Sequence, residues 1–146
     1  MIKVGIVGCG IIAGNSFQKK DETHAWVFNK VKKGSVKACY DINRLKSVKF
    51  AKKIKCNCAN SIDELTEKYE CNIISICSTD DTHFKIAKKI LQSKILPRII
   101  FMEKPPATKK SQIRELSQLS KQKKVPIVVN MTRRFDERIR KSFDEM

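Results

Sequence analysis

Four short segments hold the groups that could do chemistry: Gly8-Cys9-Gly10-Ile11-Ile12-Ala13, Asp41, Ser78-Thr79-Asp80-Asp81-Thr82-His83 and Glu103-Lys104-Pro105-Pro106. The first has the spacing G-x-G-x-x-G/A. In that pattern the first glycine makes a tight turn and the second lets a pyrophosphate approach the backbone. The small third residue lets a helix pack closely on a strand. A helix opening here would offer unpaired N–H groups and partial positive charge to phosphates. Glycine-rich turns are common, so the motif draws its meaning from its place after an apolar run and ahead of a helical stretch. Asp41 can accept hydrogen bonds from ribose hydroxyls, although it lies farther on than the usual spacing of about 20 residues. A longer first helix and its loop would absorb the difference. A carboxylate there repels a 2′-phosphate and favours NAD, while Arg44, one turn on, could offset it and leave NADP open. Each candidate also has a plainer reading. Asp41 alone is a strand-ending turn residue, His83 alone a helix-start histidine, and Glu103 with Lys104 a loop ion pair.

The elements that must position these groups alternate along the chain. Ile2–Val7 is an apolar run ending at Gly8, read as a buried strand, with a helix expected from about Ile11. Val36–Tyr40 is a second strand ending in Asp41. Leu45, Val48, Ala51 and Ile54 then recur at helical spacing, which predicts one apolar face. Lys55–Cys58 is expected as the short third strand. Ser61-Ile62-Asp63-Glu64 has the form of a capping box, with Leu65 and Tyr69 continuing the face begun by Ile62. Ile73–Cys77 and Ile99–Met102 are apolar strands. Phe84, Ala87, Ile90 and Leu91 mark the helix between them, and Ile113, Leu116 and Leu119 a helix starting near Ser111. Pro126–Val129 opens a last strand, with a helix from Phe135 onward. Strands apolar on both faces, alternating with helices, predict an α/β fold: a doubly wound, mostly parallel six-stranded Rossmann sheet with helices on both faces. In such a sheet all four polar segments project from one carboxyl edge, where ligands bind.

Composition narrows the classes further. A chain of 146 residues fits one domain, expected over 1–131, with 132–146 as the start of a linker or helix. It can hold a core without disulfide or metal. No stretch reaches the roughly 18 apolar residues of a membrane span, and the opening lacks the charged region of a signal peptide, so a cytoplasmic place is expected. The 6 cysteines include one close pair, Cys56 and Cys58, with no second pair at zinc-like spacing, and read as reduced structural thiols. The net charge of +16 raises nucleic acid as a partner. The lysines are scattered over polar helix faces with few aromatics among them, which argues against it.

Taken together, the segments resemble the N-terminal domain of the Gfo/Idh/MocA family of sugar and polyol dehydrogenases. The likeness rests on Gly5 to Ala13, Asp41, Phe50-Ala51, Ser78 to His83, Glu103-Lys104-Pro105 and Arg134-Phe135. It implies NAD or NADP as cofactor and an oxidoreductase. It also implies that Gly8, Gly10, Ile11, Ile12, Asp41, Ser78, Thr79, His83, Glu103, Lys104 and Arg134 form the cofactor site, with Glu103 orienting ribose or Lys104. Arg133 is the neighbour of Arg134. Lys104 would lie beside the nicotinamide as the catalytic residue, polarising an oxygen during hydride transfer. Two departures stand out. The family has Thr-Pro where this chain has Ser78-Thr79. Its substrate domain, which commonly supplies a catalytic His, would follow where Met146 ends this sequence. The chain is therefore expected to be a truncated or split enzyme, with a separate chain as a possible source of the substrate domain. A non-catalytic nucleotide-binding or assembly module is the alternative, and a basic nucleic-acid binder a third reading.

Overall fold

The apolar runs become the strands β1 (Ile2–Val7), β2 (Gly34–Tyr40), β3 (Asn57–Cys58), β4 (Ile73–Ile76), β5 (Ile99–Met102) and β6 (Ile127–Val129). In the computed structural model, which describes residues 1–15, 23–132 and 137, they form one six-stranded sheet in the order β3-β2-β1-β4-β5-β6. Every pairing is parallel. Parallel neighbours need crossovers, and these are supplied by α1 (His24–Lys30), α2 (Arg44–Ile54), α3 (Asp63–Glu67), α4 (His83–Leu91) and α5 (Lys110–Lys123).

Strand side chains alternate between the sheet's faces, and two cores result. On one face Val4, Ile6 and Cys39 pack with Ala25 of α1 and with Phe50 and Ala51 of α2. On the other, Val7, Ile74, Ile76, Ile100 and Met102 pack with Leu65, Ala87, Ile90, Leu91 and Leu116 of α3, α4 and α5. Helices therefore cover both faces, and the arrangement is doubly wound. The cysteines are free thiols within or against these cores.

Several local expectations are corrected. The helix expected from Ile11 opens as a π-helical turn, Ile11–Asn15, in which Gly14 leaves helical backbone, and its continuation over 16–22 lies outside the described residues; α1 spans His24–Lys30. A Cβ on Gly14 would meet Phe50 at 3.0 Å and Ala25 at 3.1 Å, so the turn is pressed against both helices. On α2, Leu45 and Val48 are 72% and 46% exposed, while Ser47, Phe50 and Ala51 are buried. Steps of three residues drift backwards on a helix that turns about 100° per residue, so Leu45 and Ala51 do not share a face. Lys55 is the left-handed cap of α2 rather than part of β3. Ile113 of α5 is 44% exposed, and Leu116 is the buried anchor. At α3, Ser61 Oγ accepts the Glu64 N–H at 3.3 Å, but the Glu64 carboxylate reaches back to the N–H of Asn60, not of Ser61. Apart from Thr132 and Glu137, the expected linker lies outside the described residues, as does the helix expected from Phe135.

Candidate functional site

Strand order reverses between β1 and β4, and a cleft of 480 Å³ opens at their carboxyl ends. Gly8, Gly10, Asp41, Lys46, Ser78 and Thr79 line it, with Ile42, Ile62 and Ile86 as its apolar wall. This is the crevice where open α/β sheets take ligands. The two glycines of the fingerprint differ in their reason for being glycine. Gly8 has φ +88°, and a Cβ there would lie 2.6 Å from the backbone N of Ser78. A Cβ on Gly10 would meet no atom within 4 Å. The fold requires Gly8, whereas Gly10 faces open space that a ligand can use. Ile11 and Ile12 follow at 73% and 40% exposure. The turn that follows, Ile11–Asn15, would offer its backbone N–H groups and those of the loop to an anion.

Asp41 closes the cleft at the end of β2. Its Oδ2 accepts the Cys9 N–H at 2.8 Å and its Oδ1 the Asn43 N–H at 2.8 Å. The carboxylate thus ties the fingerprint loop to the β2–α2 turn, and it retains lone pairs for ribose hydroxyls. Arg44 does not stand opposite it. Its Nη1 donates to Ala59 O and to Cys58 Sγ, each at 2.9 Å, so the guanidinium is engaged at β3. Lys46 and Lys85 are the cations lining the cleft, and the sequence pattern did not single them out.

The Ser78–His83 loop is fastened without a proline. Thr82 Oγ1 lies 2.7 Å from both Ser78 Oγ and Thr79 O, and the Thr82 N–H donates to Thr79 O at 2.9 Å. His83 is fully buried, with Nδ1 2.7 Å from Pro105 O and Nε2 3.0 Å from Ser78 O. A neutral imidazole carries one N–H and can donate to only one of these carbonyls at a time. His83 therefore sits behind the loops after β4 and β5 and joins them.

After β5, Lys104 lines a second cavity of 360 Å³ with Asn130, Met131 and Thr132. The Lys104–Pro105 peptide is cis. Glu103 turns inward: its Oε1 lies 2.8 Å from His24 Nε2 and accepts from Asn130 Nδ2 at 2.6 Å. His24 Nδ1 lies 2.7 Å from Ser75 Oγ. Burial alone would raise the Glu103 carboxyl, but the bonds from His24 and Asn130 outweigh it and hold the group below its usual range. His24, Ser75 and Asn130 were not singled out from sequence. Asn130 directly follows β6, so the carboxyl-edge rule that found the other segments could have found it. His24 lies far from Glu103 in sequence and gives no local signal. Arg133 and Arg134 lie outside the described residues. Among the described residues, no group of three or more His, Cys, Asp or Glu could hold a metal ion, and no helix is long and apolar enough to cross a membrane.

A family model described as an oxidoreductase family with an NAD-binding Rossmann fold matches residues 2–131. Among solved structures, the chain aligns with UDP-N-acetylglucosamine 3-dehydrogenase from Acidithiobacillus ferrooxidans at TM-score 0.81 and 18% identity, covering 99% of this chain and 43% of that one. A dehydrogenase from Clostridium difficile aligns at TM-score 0.74 and 28% identity, covering 92% and 40%. Biliverdin reductase from Synechocystis sp. PCC 6803, solved with biliverdin and NADP+, aligns at TM-score 0.71 and 24% identity, covering 88% and 37%. The chain thus spans about two fifths of the length of these structures. A comparison with curated proteins finds no match.

Proposed function

The chain belongs to the Gfo/Idh/MocA oxidoreductase family through its NAD-binding Rossmann domain, and from that premise we propose that the cleft between β1 and β4 binds a nicotinamide dinucleotide for hydride transfer. The observation that carries the reading is the open space at Gly10, set in the cleft where the strand order reverses. The pyrophosphate lies over Gly8, Gly10, Ile11 and Ile12, and Asp41 receives the adenosine ribose. Ser78 and Thr79 line the path toward the nicotinamide, with His83 holding their loop from behind. Lys104 stands at the nicotinamide end, where its ammonium steadies negative charge on the reacting oxygen. When bound, the cofactor supplies the hydride chemistry, and the protein supplies position and electrostatics. Arg134 belongs to the same proposal at the cofactor's edge.

Asp41 favours NAD, since a 2′-phosphate would meet its carboxylate, while Lys46 in the same cleft offers a counter-charge. The substrate class is a sugar or polyol, drawn from the family and from the nucleotide-sugar dehydrogenase among the similar structures. The substrate pocket belongs to a second domain, within a longer polypeptide or on a partner chain. The limited share of those structures that this chain covers supports that reading.

Calorimetric titration with NADH and NADPH at low and high salt tests the binding reading. Salt is varied because a net charge of +16 attracts any polyphosphate. Saturable binding that survives salt and falls at least tenfold in Gly10→Val supports it. Binding that vanishes with salt, or ignores Gly10→Val, rejects it.

A further inference from the structure

We infer that His24 is a positioning residue for Lys104: it draws the Glu103 carboxylate inward and so keeps it from pairing with the neighbouring ammonium, which lines the second cavity. The meaning of that arrangement for catalysis rests on the proposed place of Lys104 at the nicotinamide; the clamp itself does not.

Adjacent Glu and Lys on a loop readily pair with each other, yet among the described residues no ion pair involves Lys104. Glu103 is committed elsewhere. Its Oε1 receives Asn130 Nδ2 at 2.6 Å and faces His24 Nε2 at 2.8 Å, and its side chain is 16% exposed. His24 is itself fixed. Its side chain is 4% exposed, and its Nδ1 lies 2.7 Å from Ser75 Oγ. Its ring packs 5.4 Å from Phe101 and 6.4 Å from Phe28, centroid to centroid. The clamp therefore joins α1, β4, the end of β5 and the residue after β6 on one carboxylate oxygen. Among the described residues, Cys77 beyond β4 is a further titratable group facing it, and burial pushes its thiol up to about 12, so it stays neutral. A neutral His24 fits this frame fully, donating from Nε2 to Glu103 and accepting at Nδ1 from the Ser75 hydroxyl. With Glu103 held, Lys104 carries a positive charge that no carboxylate among the described residues pairs, in a cavity it shares with Asn130. An electrophilic role for that ammonium needs such a charge, because a carboxylate paired to it would cancel its field at the reacting oxygen.

The test is trace acetylation of the folded chain with acetic anhydride across a pH series, read lysine by lysine by mass spectrometry. In His24→Leu, Glu103 is released to pair with Lys104, and the labelling midpoint of Lys104 moves up. The other lysines serve as internal controls and stay in place. His24→Gln keeps a donor toward Glu103 and leaves the midpoint as in the wild type. Adding Glu103→Gln to His24→Leu abolishes the shift. Should His24→Leu fail to fold, His24→Asn, too short to reach Glu103, gives the same upward shift. An unchanged Lys104 midpoint in the folded variant overturns the inference. So does a shift shared by all lysines, or one that survives Glu103→Gln. NADH protection of Lys104 in the wild type is a separate readout: its absence counts against the cofactor reading and leaves the clamp standing.

Discussion

At Gly8 a methyl group would press into the backbone of Ser78, whereas at Gly10 it would meet open space. Gly8→Ala should therefore lower stability, by about 1–3 kcal/mol from the left-handed backbone alone. Gly10→Ala should stay within about 0.5 kcal/mol of the wild type. Urea unfolding of the two variants checks this, and equal losses would contradict it. Glu103 gives a pH signature. Its carboxyl is held below the ordinary value of 4.5 because the bonds from His24 and Asn130 outweigh burial. A lowered folded value stabilises the protein fully above the unfolded value, and that contribution is lost as pH falls through the folded one. The stability gap between wild type and Glu103→Gln should thus be widest near neutrality and close on the acid side of 4.5. A gap that widens in acid would reverse the assignment. These residues were unequally legible. The fingerprint, Asp41, Ser78 to His83 and Glu103-Lys104 stood out because each follows an apolar run. His24 is a single residue on a short helix, and its partner lies beyond β4 in the chain.

The strands were readable because a parallel sheet buried on both faces demands continuous apolar runs, as in Ile73–Ile76 and Ile99–Met102. Helices were less so. On α2 the apolar residues Leu45 and Val48 point outward, and Phe50 does the packing. Phe50→Ala should cost about 3–5 kcal/mol, while Leu45→Lys should change stability by no more than about 0.5 kcal/mol. Chemical denaturation of both variants decides which face is buried. The π turn after the fingerprint was also hidden, since its form depends on the close approach of Gly14 to Phe50 and Ala25. The loop after β4 has no proline in it, and its bracing by Thr82 depends on contacts that composition does not reveal. Thr82→Val keeps the shape and removes those bonds. It should cost about 1 kcal/mol and weaken dinucleotide binding. Unchanged affinity would mean that the loop needs no such brace.

Across the whole molecule, the winding of the sheet brings segments near residues 8, 41, 78 and 103 to one edge, and the parallel strand order was foreseeable from the alternation of elements. The positive charge is a property of the entire surface. It offers a competing explanation, in which a dinucleotide is held by scattered lysines on α2, α4 and α5 as any polyanion would be. Amide chemical-shift mapping of the isotope-labelled chain during NADH titration separates the two most directly. Binding in the β1–β4 cleft predicts saturable shifts concentrated at Gly8–Ile12, Asp41–Asn43 and Ser78–Thr82, persisting at high salt. Shifts spread over the lysine-rich helix faces and fading with salt, with the Gly8–Ile12 amides unmoved, would contradict it.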